Sequence, residues 1–94
     1  MNKEKNWITP EVKELFLLIS KLNNPQEAQD FLRDLLTEKE LLEFSQRWQA
    51  AKMLDKKIPY TKISEITGLS STTVARVQKW LQNGTGGYVR MLKK

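Results

Sequence analysis

The sequence predicts an all-helical fold for this chain of 94 residues. Apolar residues recur every three or four positions along most of the chain, which is the helical period. Asn, Pro and Gly mark the ends of these segments, and no segment alternates polar and apolar residues as a half-buried strand does. We therefore expect five helices and a short terminal sixth, in a single domain spanning residues 1–94.

The first predicted helix is apolar on nearly all sides. Thr9 is the expected N-cap and Pro10 the first helical residue, and residues 1–8 are expected to fray. The apolar residues that follow are Leu15, Phe16, Leu17, Leu18, Ile19 and Leu22. A helix of this kind is buried on several sides. In so short a chain, this pattern indicates burial against a second subunit.

The second and third helices begin with capping signals. Asn24 and Pro25 open the second helix, and Glu27 completes a predicted capping box. Residues 37–40 form a second predicted capping box, which begins a long helix that ends near Lys56. The expected inward residues are Ala28, Phe31, Leu32 and Leu35 in the second helix, and Leu41, Phe44, Trp48 and Ala51 in the third. We expect residues 1–56 to supply the dimerisation helices.

Residues 61–82 predict two helices joined by a tight turn. Ile63 and Ile66 give the first helix an apolar stripe, Gly68 suits the turn, and Ser70 is the expected N-cap of the second helix. The second helix has an apolar face formed by Val74, Val77 and Leu81. The pattern is typical of a DNA-binding helix-turn-helix, with an ordinary helical hairpin as the alternative. Residues 83–94 are a C-terminal segment with a glycine-rich break.

The composition excludes several kinds of chemistry. The chain has no Cys and no His, so it lacks thiolates, the commonest general base and the commonest metal ligand. We expect no catalytic residues, no metal and no cofactor, and therefore no enzyme. The N-terminus lacks the apolar run of a signal peptide, and no segment is long and apolar enough to span a membrane. We expect a cytoplasmic protein without membrane partners.

The charge is unevenly distributed along the chain. Residues 1–56 carry nine Lys/Arg and ten Asp/Glu, whereas residues 57–94 carry seven Lys/Arg and one acid, Glu65. A basic segment favours a polyanionic partner, because neutralising phosphates releases counterions. Beside the helix-turn-helix pattern, this asymmetry indicates double-stranded DNA. The alternative is a solvated basic tail, since Arg90, Lys93 and Lys94 carry three of these charges.

Residues 36–81 resemble the tryptophan repressor family, in particular its small branch from Gram-positive bacteria. The resemblance rests on the Leu36-Thr37-Glu38 opening of the long helix with Glu40, on Arg47, and on residues 63–76, ISEITGLSSTTVAR. It implies an all-helical, intertwined homodimer with two projecting helix-turn-helix heads. A two-fold dimer implies a palindromic operator with half-sites about one DNA turn apart. The implied function is a sequence-specific transcriptional regulator, most simply a repressor.

The resemblance also implies which residues meet DNA. The second helix of the pair would enter the major groove with its N-terminus first. The expected base-reading residues are Ser71, Thr72, Thr73 and Ala75. The expected contacts to the DNA backbone are Lys56, Lys57, Thr61, Lys62, Ser64 and Lys79. Short hydroxyl side chains bond several bases directly or through water, so specificity is expected to depend on water and DNA shape.

The resemblance also implies a candidate pocket for a small-molecule effector. Arg47 and Arg76 match the two arginines that hold the tryptophan corepressor in the family, and Thr37 matches a further pocket position. Val77 and Trp80 replace a small Gly and a Ser, so the indole of Trp80 could fill the space of a free indole. Alternatives are an Arg47–Glu43 pair on a solvated face, and core packing of Trp80.

Two classes of function remain open from the sequence. The first is the dimeric DNA-binding regulator, with or without an unidentified small-molecule effector. The second is a protein-interaction helical module or a sigma-factor-like fragment, whose helix-turn-helix contacts protein rather than an operator. The basic bias of residues 57–94 favours the first class.

Overall fold

A computed structural model describes residues 6–94, and this part of the chain contains helices but no strand. Within these residues there are six helices, in the number and order that the sequence predicts. They are α1 (Pro10–Ser20), α2 (Pro25–Leu35), α3 (Glu38–Asp55), α4 (Tyr60–Thr67), α5 (Ser71–Asn83) and α6 (Gly87–Leu92). None of the six has both the length and the apolar character needed to cross a membrane.

The chain forms two compact units, which divide between Thr37 and Glu38. The first contains α1 and α2, and the second contains α3 to α6. Helix α3, which the sequence grouped with the dimerisation helices of residues 1–56, therefore shares a compact unit with the helix-turn-helix. The reason is that α3 packs directly on both α4 and α5.

The predicted caps form in the N-terminal unit. The hydroxyl of Thr9 accepts a hydrogen bond from the N–H of Val12 at 3.2 Å, and the side chain of Asn24 accepts one from the N–H of Glu27 at 2.9 Å. The Glu27 carboxylate accepts from the N–H of Asn23 at 3.1 Å, one residue before the N-cap that a regular capping box would use. These local bonds explain why α1 and α2 begin where the sequence predicts.

The apolar surface of α1 stays open within this chain. No residue of α1 or α2 is buried. Phe16 is 47% exposed, Leu17 61% and Leu18 47%, and on α2 the expected inward residue Leu35 is 46% exposed. Trp7 packs edge-on against Phe16, with ring centroids 6.0 Å apart, so the segment just before α1 contacts the helix rather than fraying there. Residues 1–5 lie outside the described part.

The core of the second unit lies where α3 meets α4 and α5. Six residues are its buried apolar members: Ala50, Ala51, Leu54, Ile63, Val74 and Val77. The small side chains of Ala50 and Ala51, both fully buried, let the other two helices approach α3 closely. The predicted α3 stripe is only partly correct, because Phe44 is 47% exposed in this chain. The buried section of α3 is its C-terminal half.

A left-handed lysine ends α3. Lys57 has φ +64°, the N–H of Ile58 donates to the carbonyl oxygen of Met53 at 3.1 Å, and that of Lys57 donates to Leu54 at 2.9 Å. This pair of bonds is a Schellman motif, in which glycine is the usual residue at the left-handed position. The lysine therefore carries a conformational cost at this turn.

Candidate nucleic-acid interface

The turn between α4 and α5 is fixed by short-range hydrogen bonds. Gly68 ends α4 with φ +82°, and its N–H donates to the carbonyl oxygen of Ser64 at 2.9 Å. The hydroxyl of Ser70 accepts from the N–H of Thr73 at 3.2 Å and caps α5. Both features confirm the sequence prediction for this turn. They give the two helices a defined relative orientation.

Thr67 adds two hydrogen bonds that the sequence did not predict. Its buried hydroxyl donates to the carbonyl oxygen of Ile63 at 2.7 Å and accepts from the N–H of Leu69 at 3.2 Å. The hydroxyl thereby links the last turn of α4 to the residue after Gly68. A threonine directly before a helix-ending glycine is a sequence signal for such a bond, since threonine hydroxyls readily bond the carbonyl four residues earlier.

The predicted α4 stripe of Ile63 and Ile66 is wrong in its second member. Ile63 is fully buried, but Ile66 is 60% exposed, and Thr67 is buried in its place. Each residue of a helix is rotated about 100° around the axis from the one before it. Thr67 therefore lies about 40° from Ile63 on one side, and Ile66 lies about 60° from Ile63 on the other side. The helix turns the Thr67 side towards α3 and α5, which leaves Ile66 at the surface.

Three of the four predicted base-reading residues are exposed on the first turns of α5. These are Ser71, Thr72 and Ala75. Thr73 is half-buried, and its hydroxyl oxygen accepts a hydrogen bond from the Ser70 hydroxyl at 3.1 Å, so it belongs to the helix cap. The opposite face of α5 is anchored in the core. This packing fixes the position of the exposed polar face of α5.

The predicted backbone contacts divide into exposed and buried groups. The exposed ones are Lys56, Lys57, Thr61, Lys62 and Lys79. Ser64 differs, because its hydroxyl oxygen is buried and has no hydrogen-bond partner among residues 6–94. In this orientation the hydroxyl is not available to a phosphate. The cations therefore provide the stronger candidates for contact with a polyanion.

The residues of the predicted effector pocket occupy dissimilar environments. Val77 is 3% exposed and is part of the core, whereas Trp80 is 53% exposed, so the core-packing alternative for Trp80 is wrong within this chain. Arg76 is exposed on α5. The guanidinium of Arg47 lies 5.5 Å from the centroid of the Phe44 ring, and the described residues contain no ion pair between Arg47 and Glu43. Thr37 belongs to the N-terminal unit.

A groove lined by aromatic residues lies beside α5, and the sequence analysis did not predict it. It is open to solvent and has a volume of about 460 Å³. Its lining, which we call the aromatic groove, includes Trp48, Trp80, Gly84, Gly87, Tyr88 and Met91. Neither Arg47 nor Arg76 lines it. Trp48 and Tyr88 are 40 positions apart in sequence, so no local pattern indicates that their rings meet.

No group of three or more acidic residues within residues 6–94 is arranged to hold a metal ion. The site instead consists of an anchored helix with short polar side chains at its exposed start and lysines around it. These features define a protein of the helix-turn-helix class. The family model described as Trp repressor protein matches residues 10–94. The chain belongs to the Trp repressor family, which is a family of transcription regulators.

Relatives of known sequence or structure agree with this assignment. Over 84 residues the chain is 34% identical to YerC of Bacillus subtilis (strain 168), described as an uncharacterized protein; the match covers 89% of this chain and 81% of YerC. A TrpR-like protein from Eubacterium eligens ATCC 27750 is 39% identical, with a TM-score of 0.87, covering 98% of this chain and 93% of that one. A putative Trp repressor from Staphylococcus aureus is 33% identical, with a TM-score of 0.88, covering 99% and 93%.

Proposed function

We propose that the chain is a sequence-specific DNA-binding repressor that binds a palindromic operator as a homodimer. The observation that carries this proposal is the two-sided character of α5. Val74 and Val77 anchor one face in the core, while Ser71, Thr72 and Ala75 are exposed on the other. A helix held in this way presents short polar side chains to a major groove without losing the packing that orients it.

The charge around α5 supports a nucleic-acid partner. Lys57, Lys62 and Lys79 are exposed, and residues 57–94 carry a single acid, Glu65. Lysines contribute phosphate contacts that position a protein on the duplex without reading sequence. We assign Lys56 and Thr61 to the same role, because both are also exposed.

The homodimer proposal rests on the exposed apolar surface of α1. Phe16, Leu17 and Leu18 are each roughly half exposed, and an apolar surface of this kind marks an interaction site. Sedimentation velocity should give a dimer for the full chain. Leu17→Glu should shift it to the monomer, and Gln82→Glu, at an exposed position of α5 in the other compact unit, is the control for the added charge. A monomeric parent protein would contradict the homodimer.

Binding to DNA can be tested with a randomised duplex library. Repeated selection followed by sequencing should yield a two-fold symmetric site with half-sites about one DNA turn apart. Fluorescence anisotropy at several salt concentrations then separates specific from non-specific binding. In a purified transcription assay, a promoter that overlaps the selected site should be silenced. Failure to enrich any sequence would contradict operator recognition.

A protein-interaction module is the second candidate, and exposed apolar residues on α4 favour it. Ile66 is 60% exposed and Tyr60 40% exposed on the helix that precedes the turn. A partner protein rather than an operator would use these side chains. Replacement of Ile66 by Ser should leave DNA affinity unchanged if the repressor proposal is correct. If Ile66→Ser abolishes binding to a protein partner, while DNA binding is weak, independent of sequence and the same as in the parent, the protein-interaction module would be favoured.

We further propose that DNA binding does not require tryptophan. The family pocket lies between two arginines that correspond to Arg47 and Arg76, but Val77 replaces its small glycine and is packed in the core. The Arg47 guanidinium already lies over the Phe44 ring. Isothermal titration with L-tryptophan should give no heat, and operator affinity should be equal with and without it. Saturable tryptophan binding that Arg76→Ala abolishes would overturn this proposal.

A further inference from the structure

Arg76 differs from the other three arginines of the chain, because its side chain has no partner among residues 6–94. Arg33 and Arg90 each donate a hydrogen bond to a backbone carbonyl oxygen, at 3.4 Å and 3.2 Å respectively. The guanidinium of Arg47 lies over an aromatic ring. The side chain of Arg76 makes no hydrogen bond, ion pair or ring contact within the described residues, and it is exposed on α5. Contacts within the chain therefore do not explain a guanidinium at this position.

Arg76 lies on the face of α5 that is turned away from the core. Val74 and Val77 are buried. Since a helix turns about 100° per residue, the direction opposite to these two valines passes within about 10° of Thr72. Ala75 and Arg76 lie on either side of that direction, each about 50° from it. Both are exposed. Arg76 is therefore placed as favourably for a DNA groove as Ala75, which is one of the expected base-reading residues.

The exposed residues of this face have the spacing of a base-reading stripe. Four of them lie at positions i, i+3, i+4 and i+7, namely Thr72, Ala75, Arg76 and Lys79. Helices in a major groove contact base edges with residues at such spacings. Arg76 lies one turn behind Thr72, about 6 Å further along the helix axis. Because the N-terminus enters the groove first, a residue one turn back needs a longer side chain to reach the bases, and arginine has one.

The exposed side chains before Arg76 are short. Ser71, Thr72 and Ala75 allow the backbone of α5 to approach the floor of a groove closely. Their hydroxyl and methyl groups can contact several different bases, so they leave the choice of base open. A guanidinium is more selective, because its planar set of donors matches the N7 and O6 acceptors that guanine presents in the major groove.

The charge of Arg76 is not neutralised by an acid on its own helix. Residues 71–83 contain no Asp or Glu. One turn away along α5 the charged neighbour is Lys79, which is also a cation. A guanidinium is more weakly hydrated than an ammonium group, so it loses less hydration than a lysine would on entering a groove. The donors of Arg76 are therefore available to an acceptor outside the chain.

We propose that Arg76 is a specificity-determining residue that reads one guanine in each operator half-site. Its guanidinium donates one hydrogen bond to N7 and one to O6 of this base in the major groove. The inference rests on the proposed function, since it requires an operator. It assigns Arg76 to DNA rather than to a small-molecule effector, and it gives the operator a fixed base that the short side chains do not provide.

The test removes the N7 atom of the guanine. Selection from a randomised duplex library should give a symmetric site with guanine at the same position of both half-sites. Each guanine of the half-site is then replaced in turn, in both halves, by 7-deazaguanine, which pairs with cytosine but lacks the N7 acceptor. Fluorescence anisotropy should show that at one position the parent protein loses about tenfold or more in affinity, since two charged hydrogen bonds are lost per dimer. Arg76→Ala should bind the intact operator more weakly than the parent does, and should bind the intact and substituted operators equally.

Lys79→Ala is the matched control, because it removes an exposed cation from the same face of α5. It should weaken binding to both operators by the same factor and should retain the full loss caused by 7-deazaguanine. Arg76→Ala removes no contact within the described chain, and alanine favours a helix, so this variant is compatible with folding. Circular dichroism of each variant verifies the fold.

Three results would overturn the proposal and leave the repressor proposal standing. The first is a selected half-site without guanine. The second is a 7-deazaguanine effect that is absent in the parent, or equal in the parent and in Arg76→Ala, since another residue would then read the base or none would. The third is an equal loss of affinity for every operator variant in Arg76→Ala, which would make Arg76 a phosphate contact. Failure to enrich any sequence differs from all three, because it contradicts operator recognition itself and this inference with it.

Discussion

The hydroxyl of Thr67 joins the end of α4 to the start of the turn by bonding two backbone groups at once. It donates to the carbonyl oxygen of Ile63 at 2.7 Å and accepts from the N–H of Leu69 at 3.2 Å. Because the hydroxyl is buried, water cannot replace either bond. The orientation of α5 relative to α4 depends on this pair of bonds as well as on apolar packing.

Thr67→Val should therefore destabilise the fold although it preserves side-chain shape. We expect the free energy of unfolding to fall by about 1–2 kcal/mol, since the N–H of Leu69 is left without its partner. Urea denaturation followed by circular dichroism measures the change. Thr72→Val, at an exposed position of α5, is the matched control and should change stability by less than about 0.5 kcal/mol. Equal midpoints for the two variants would show that the Thr67 bonds contribute nothing.

The two glycines at Gly68 and Gly87 should respond in opposite directions to the same substitution. Neither has a heavy atom within 4 Å of an added Cβ, so packing does not distinguish them. Gly68 has φ +82°, and alanine there should cost roughly 1–2 kcal/mol. Gly87 lies in α6 with an ordinary φ, and alanine there should stabilise by about 0.5–1 kcal/mol. Thermal unfolding compares the pair, and a stabilised Gly68→Ala would contradict a left-handed turn.

The turn between α4 and α5 and the start of α2 were predictable because their signals are local. Gly68, Ser70 and Asn24 each act through a backbone group or side chain within four residues, and all three take the roles that the sequence assigns. The positions of Ile66 and Phe44 were not predictable in the same way. Periodicity identifies an apolar stripe, but the side of the stripe that packs depends on the neighbouring helices.

Contacts between distant residues escaped the sequence analysis for a related reason. Trp48 and Tyr88 stack although they lie on α3 and α6, and neither residue is part of a recognisable motif. The groove that they help to form depends equally on Gly84, whose neighbours permit no Cβ. Such a site is a product of helix packing and loop geometry, which appear only once the helices are placed.

Lys57→Gly should separate stability from DNA affinity. Replacing Lys57 by glycine removes the strain of the left-handed conformation, which stabilises the fold by roughly 1–2 kcal/mol. Glycine also increases the entropy of the unfolded chain, which destabilises the fold by about 0.5–1 kcal/mol, so the first effect is the larger. The variant should therefore be modestly more stable but bind DNA more weakly, having lost a cation. Lys56→Gly removes an equal charge without the left-handed gain, and should lose both stability and affinity. If Lys57→Gly binds DNA as well as the parent, the lysine is not a phosphate contact.

Lys62→Ala should weaken DNA binding equally for all sequences and reduce its salt dependence. Lys62 is exposed on α4, and removal of one phosphate contact from each chain of the homodimer should lower the slope of log K against log salt by about 1.8, about 0.9 per contact. Anisotropy titrations at four salt concentrations measure the slope. Lys13→Ala, on α1 of the other compact unit, removes the same charge and should leave the slope unchanged. An unchanged slope for Lys62→Ala would remove this residue from the interface.

Thr72→Ala should alter sequence preference rather than overall affinity. Thr72 is exposed in the first turn of α5, where its hydroxyl and methyl group can contact base edges, whereas the nearby Thr73 hydroxyl oxygen accepts from Ser70. Loss of one base contact should reduce discrimination at a single operator position by about 1 kcal/mol, at the lower end of the range for such contacts. The measurement is competition between the selected operator and its single-base variants, repeated with both proteins. Thr85→Ala, outside α5, is the control and should retain the parent preference. If Thr72→Ala ranks every operator variant as the parent does, base recognition must lie in Ser71, Ala75, Arg76 or the shape of the DNA.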